Sequence, residues 1–521
     1  MIMKMAKKAA ITAALLLIFI TIFTACAPKG EYITADADGG VVIVDYRGKG
    51  GKVEVPEAID GKAVVGIGRF AFSNLVGVEE IVIPETVKSV GDYAFVNCAK
   101  LKRVTVKGDD VALGKYVFSD CVALVSVDVS GADELPEGCF ENCRSLGEIS
   151  LGEIEMIGDR AFFGCSSLGS FTVSDSVKRI GSKAFAKCEG LMEIIVGSGV
   201  VSIGEDCFAK TDAKLDLSKS TSYTVWRSGT FAEYNGESLT VSETVKTLES
   251  GVFGDCLADV SLSGCTAELS DGAFNGYKGE KITLDGYKGE ILPRAFDGVE
   301  AAIEFGDRFY IESVGEEMFA GYKGKSITLP ATVKTIEKGA FSDAECEIRF
   351  AEGSVLTVIG ESAFEGWQGG KITLPVGLTE IGKRAFYGCK SFASITLPNG
   401  VKAIGDEAFA ECGFVRITLS DSLEEIGNDA FLNCTRLRSV KLSDKVALIG
   451  DRAFNGCEAL DEMSFGRSVK SIGDGAFVNC SALWDITYRG TEDEWKLIEI
   501  KGGAASLGNA LPVFVGSVNP Q

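Results

Sequence analysis

Histidine is absent from all 521 residues. That excludes Ser/His/Asp and Cys/His catalytic triads, His-ligated zinc and the HExxH class of metalloprotease. A GxSxG nucleophile elbow is missing as well. No low-complexity tract marks the chain as disordered. Basic residues are outnumbered: 52 Lys and Arg against 74 Asp and Glu leave a net charge of −22. An acidic surface repels phosphate backbones and anionic headgroups. This argues against nucleic acid as a partner and leaves membrane contact to an anchor. Beyond residue 23 no run is long and apolar enough to span a bilayer.

The N-terminus reads MIMKMAKKAAITAALLLIFITIFTAC. Three lysines, an apolar run from Ala9 to Phe23 and then small residues form the layout of a secretory signal. Phe23-Thr24-Ala25-Cys26 resembles a bacterial lipobox, with Phe23 where Leu is usual. The resemblance implies cleavage before Cys26, lipidation of that residue and export to the bacterial envelope as a membrane-anchored lipoprotein. A plain signal peptide cut near Ala25 and an uncleaved anchor are the alternatives. Removing residues 1–25 takes away three lysines and no acids, so the mature charge would be 49 − 74 = −25.

From about residue 65 the chain repeats itself. Copies such as IGDRAFFGC, IGKRAFYGC and IGDEAFAEC align on a Phe that recurs nineteen times between Phe72 and Phe477, at spacings of 21 to 23 residues. A fixed period in this range marks a solenoid. Each copy holds a short strand with in-out-in alternation, such as Ile395-Thr396-Leu397, and then an apolar pair, such as Val401 and Ile404. A helical turn, such as Asp406-Glu407-Ala408-Phe409, is expected next. A Gly precedes that turn in thirteen copies, where a tight corner is expected, and Ala precedes the Phe in thirteen, which suggests close backbone approach. One coil cannot bury its Phe alone, whereas stacked coils bury a continuous ladder.

These recurrences resemble the BspA-like leucine-rich-repeat surface proteins. The ends fit too. VVIVDYRGKGGKVEVPEAIDGKAVVGIG, Val41 to Gly68, is similar to that family's N-terminal cap, and ITYRGTEDE with Trp495 to its closing segment. The resemblance implies a right-handed, curved leucine-rich-repeat solenoid of about 19 coils, with short parallel strands and short helical turns, capped at both ends. It also implies a cell-surface location, often with adhesive or host-interaction roles, and no single activity or ligand. The expected organisation is a signal peptide over 1–25, an anchor and linker over 26–30, an N-terminal cap over 31–64, the solenoid over 65–485 and a C-terminal cap over 486–521.

Eleven of the sixteen cysteines sit three residues after the ladder Phe, in a slot that elsewhere holds Leu, Thr, Tyr, Val, Ala or Trp. Such a slot is a packing site, and free Cys there acts as a small buried hydrophobe. Sporadic disulfides between adjacent coils remain open. Between Phe208 and Phe364 the slot alternates large and small: Tyr234, Tyr277, Tyr322 and Trp367 against Thr211, Cys256, Val299 and Ala344. The aromatics either fill space vacated by a missing Leu or form a binding stripe, helped by the Tyr-Lys-Gly turns at 277, 287 and 322.

Outward strand positions carry no aromatic residue, so sugar stacking on that face has little support. The face is either simply solvated or a ligand surface, whose candidates are Thr283, Thr328, Arg349, Thr373, Thr396, Thr418 and Lys441. Eighteen steps of about 4.8 Å and a width of about 10 Å give an area on the order of 850 Å², one side of a protein interface. The expected partner is a macromolecule, a protein first. No cofactor, metal or catalytic residue is expected; Asp36-Ala37-Asp38-Gly39 is similar to a calcium loop's start but lacks the later ligands and suits a turn. A surface-tethered, non-enzymatic binding or adhesion scaffold is the leading function. An enzyme acting on extracellular polymer through a carboxylate pair, and a structural envelope component without a specific ligand, are the alternatives.

Overall fold

The computed structural model describes residues 30–507 and 511–515. The signal segment and Cys26 lie outside the described residues. The chain forms two compact units, one ending at Gly152 and one starting at Glu153.

The first unit opens with an antiparallel hairpin, Tyr32–Ala37 against Gly40–Tyr46, turning at Asp38-Gly39. Gly39 takes φ +84, which suits glycine at a two-residue hairpin turn. The Asp36 carboxylate is held by Lys62. Parallel coils follow. Gly51–Glu54, Val78–Ile83, Arg103–Val106, Ser126–Val129 and Glu148–Leu151 form one five-stranded parallel sheet. Phe72, Phe95, Phe118 and Phe140 stack behind it with centroids 5.0, 5.3 and 5.6 Å apart.

The second unit repeats one plan. Most coils have a front strand of three or four residues and a two-residue back strand. From Ser313–Val314 to Glu499–Ile500 the back strands pair in one unbroken nine-stranded parallel ladder. Between the two runs the Phe ladder, Phe162 to Phe477, with ring centroids 4.9 to 6.2 Å apart. These rings are fully buried, and each contributes about 1.5–3 kcal/mol by leaving water.

The expected helical turn is not helical. In the coil of Phe409, Ala408, Ala410 and Cys412 each donate an N–H to the carbonyl three residues back, whereas Glu407, Phe409 and Glu411 donate across to Asn428, Ala430 and Leu432 of the next coil. An α-helix would keep all these donors within the segment. Spending alternate donors on a neighbour requires a reversal of backbone hand. The residues two before and two after the ladder Phe, such as Glu407 at φ 56 and Glu411 at φ 58, supply it in every copy. The only α-helix among the described residues is Glu492–Trp495, started by a capping box between Thr491 and Glu494.

The recurring corner glycine also has a different cause from the one expected. Gly405 has no left-handed φ; a Cβ there would lie 2.6 Å from the Gly382 carbonyl carbon of the preceding coil. Close stacking of backbones selects glycine here, and the buried Ala before the Phe follows the same logic.

The front sheet of the second unit is broken into runs of three, four, two and six strands. The breaks fall after Lys214–Asp216, Ala302–Glu304 and Glu347–Phe350. Their coils share one feature. Six positions separate Leu217 from Tyr223, Phe305 from Ile311 and Phe350 from Leu356, against four between Leu397 and Val401. Two extra residues widen the corner after the strand, so the next strand does not meet it in register.

Candidate binding surface

The front strands alternate as the sequence pattern predicts. Ile395 is buried between exposed Ser394 and Thr396, and Ile417 between exposed Arg416 and Thr418. Parallel register sets outward residues side by side: Thr328 beside Arg349, Thr396 beside Thr418, Lys441 beside Ser464, Ser464 beside Thr487, and Thr283 beside Glu304. Of the predicted residues, Thr328, Arg349, Thr373, Thr396, Thr418 and Lys441 are exposed, whereas Thr283 is half-buried. Thr373 lies in a segment that forms no ladder.

Arg349 and Thr373 fall on opposite walls of a cleft of about 600 Å³. One wall is Glu347–Phe350, whose only strand partner among the described residues is Ser326–Leu329. The other is Lys371–Val376, and Ala351 with Gly353 and Ser354 of the widened corner closes one end. Arg349 forms an ion pair of 2.7 Å with Glu347 and holds that carboxyl below its usual range. A volume of this size is normal for a ligand site. The sequence held the signal for it, the two-residue lengthening after Phe350, but a spacing alone does not say that the ladder opens.

A second cavity, of about 620 Å³, is lined mainly by charged residues including Glu189, Lys210, Asp212, Glu233, Asp255 and Lys278. Lys210 pairs with Glu233 at 3.0 Å and Lys278 with Asp255 at 2.5 Å, so its cations are already neutralised. Among the described residues no group of three His, Cys, Asp or Glu side chains is placed to hold a metal ion.

The middle-block aromatics are not on this surface. Tyr234, Tyr277, Tyr322 and Trp367 are buried, which favours filling of the vacated space over a binding stripe. Each also does something the sequence did not reveal. The hydroxyls of Tyr234, Tyr277 and Tyr322 donate to the carbonyls of Ala213, Ala258 and Ala301 at 2.6, 2.7 and 2.7 Å, and Trp367 Nε1 donates to Cys346 O at 2.9 Å. These acceptors belong to the preceding, shortened coils. The glycine two residues on is required because a Cβ at Gly236, Gly279, Gly324 or Gly369 would overlap the ring or its hydroxyl. Tyr287 and Gly289 repeat the arrangement, which explains the Tyr-Lys-Gly turns.

The cysteine slot is buried, with free thiols throughout the described residues. Most of its thiols donate to the carbonyl of the ladder Phe one coil back, as Cys412 does to Phe386 O at 3.0 Å and Cys434 to Phe409 O at 3.0 Å. Burial pushes the Cys188 and Cys256 thiols up to about 12, so they are uncharged and unreactive at neutral pH. Among the described residues no helix is long and apolar enough to cross a membrane.

The profile of the BspA type leucine-rich repeat region (6 copies) matches residues 65–189, 155–232, 224–349 and 357–484. Among solved structures, the chain is similar to a leucine-rich repeat protein from Bacteroides ovatus, at 21% identity over 95% of this chain and 100% of that one, with a TM-score of 0.30. A leucine-rich cell surface protein from Faecalibacterium prausnitzii is 20% identical over 92% and 98%, with a TM-score of 0.31. The leucine-rich repeat protein of T. pallidum is 26% identical over 35% and 87%, with a TM-score of 0.25. No curated protein matches the chain.

Proposed function

The chain belongs to the BspA-type leucine-rich repeat family, a family of repeat scaffolds, and from that premise we propose that it is a binding scaffold held at the bacterial surface by lipidated Cys26. The front strand face is its contact surface, and a protein is its partner. One observation carries this reading. The front strands turn their alternate apolar residues inward and offer outward mostly short polar and charged side chains, with a cleft set into that row.

Area sets the scale of the partner. The six-stranded run from Ser394–Thr396 to Leu511–Phe514 spans five steps of about 4.8 Å, roughly 24 Å. At a width of about 10 Å it offers about 240 Å², a third of the ~800 Å² that one side of a stable interface needs. The partner therefore covers more than this run. The mature charge of 49 − 74 = −25 favours basic surface around its contact points, with association that weakens as salt rises.

The test is binding to a partner captured from host matrix or bacterial surface extracts and then purified. Thr396→Lys with Thr418→Lys should reduce affinity about tenfold or more while leaving the circular dichroism spectrum unchanged. Unchanged affinity and unchanged salt dependence would place the contact elsewhere on the molecule.

A further inference from the structure

We propose that the cleft between Glu347–Phe350 and Lys371–Val376 takes an extended acidic segment of a partner protein as an added strand. The inference rests on the reading of the chain as a binding scaffold and names what this part of it recognises.

The hydrogen-bonding groups come first. Glu347 and Ala351 donate their N–H groups to Lys325 O and Leu329 O, so alternate residues of this strand face the preceding coil. The residues between, Ile348 and Phe350, then turn their N–H and C=O groups toward the cleft. At the position equivalent to Phe350, Leu284, Leu397 and Leu442 donate to Glu304, Thr418 and Ser464 of the next coil, at 2.7, 2.8 and 2.9 Å. Among the described residues Phe350 has no such bond. A free strand edge of this kind is a template for another strand.

The opposite wall shows why the edge stays free. Lys371-Ile372-Thr373-Leu374 has the alternation of a front strand, with Ile372 and Leu374 buried and Lys371 and Thr373 exposed, yet it pairs on neither side. Gly370 takes φ +74, and Lys371 N–H folds back onto Gly369 O at 2.9 Å. That turn draws the segment off the ladder. The opening is confined to the front. Behind it Val358 and Ile359 still pair with Glu380 and Ile381, and Phe364 stacks on Phe386 at 5.0 Å. The solenoid is intact and holds the cleft open.

Side chains define the occupant. An added strand would place alternate residues inward beside Ile348 and Ile372, where apolar groups fit. The others would point outward between Arg349 and Lys371. Glu347 is the only acid among the lining residues, against Arg349 and Lys371. Glu347 already pairs with Arg349, so Lys371 is the cation that no ion pair neutralises among the described residues, on a strongly acidic chain. A carboxylate side chain beside Lys371 complements it, and exposed Val376 gives apolar contact at the mouth.

The experiment uses the exported chain and a short fluorescein-labelled peptide of alternating valine and glutamate. Hydrogen exchange of the free protein should show the Phe350 amide exchanging at least about tenfold faster than that of Leu442. The peptide should bind, slow exchange at Ile348 and Phe350, and lose about tenfold or more in affinity to Lys371→Glu, whose side chain is exposed. A copy N-methylated on every backbone amide keeps the side chains but has no N–H left to donate to a ladder on either edge, and it should not bind. An equally protected Phe350 amide, no peptide binding, equal binding of the N-methylated copy, or indifference to Lys371→Glu each overturns the proposal. If these fail while Thr396→Lys with Thr418→Lys still weakens a captured partner, the scaffold reading stands and only the strand site falls.

Discussion

Tyr322 tests how the shortened coils are sealed. Its ring is fully buried, edge-on to Phe319 at 6.2 Å, and its hydroxyl donates to Ala301 O at 2.7 Å. Tyr322→Phe keeps the ring and removes the donor. Leaving a buried carbonyl without this partner costs about 1–3 kcal/mol. Tyr322→Ala adds a cavity and should cost at least about 3–5 kcal/mol. The neighbouring Gly324 supplies an internal control, since a Cβ there overlaps the tyrosine hydroxyl. Gly324→Ala should be strongly destabilising with Tyr322 present and lose more than about 1 kcal/mol of that cost in the Tyr322→Ala background. Repeat arrays unfold in parts, so a single melting midpoint is the wrong readout. Hydrogen exchange resolved by peptide should show loss of protection centred on the coils of Phe296, Phe319 and Phe341. Uniform loosening along the chain, or an equal cost of Gly324→Ala in both backgrounds, would refute the latch.

Four further outcomes are expected. Thiol labelling of the native protein should be slow even at pH 9 and extensive after denaturation. Because burial raises the Cys188 and Cys256 thiols to about 12, their contribution to stability is complete below the unfolded value of 9.0 and is lost as pH rises toward 12, measurable as a falling denaturation midpoint. Gly475, at φ +65 with only ordinary van der Waals contacts around its Cβ position, should cost about 1 kcal/mol when changed to Ala, and Lys183→Gly at the matching φ +56 should recover a similar amount in chemical denaturation. Cys26→Ser should release the protein from membranes or block processing, because acyl chains supply about 0.8 kcal/mol per buried methylene. Unchanged retention and an unchanged precursor pattern on fractionation would rule out the lipid anchor.

Periodicity alone made the solenoid, the Phe ladder and the buried cysteine slot legible, because a position buried in every coil must recur at every coil. It also separated Ile395 and Ile417, facing inward, from Thr396 and Thr418, facing out, since strand alternation is a local property. What one coil does to the next was not legible. The backbone reversals at Glu407 and Glu411 leave no strict residue signature, because Arg, Lys, Tyr and Glu occupy the first of these sites as well as Gly. The thiol and phenol bonds to carbonyls one coil back, and glycine selected by a neighbour's backbone, exist only once coils are stacked. The cleft is the sharpest case. Lys371-Ile372-Thr373-Leu374 reads like the other front strands, and its local propensities are those of a strand. Whether it pairs depends on how far a corner two residues longer moves its neighbour's edge, and hydrogen bonds fail within about an ångström of misplacement. The sequence by itself therefore determined which groups are buried, and the stacked structure decided which backbone groups are left for a partner.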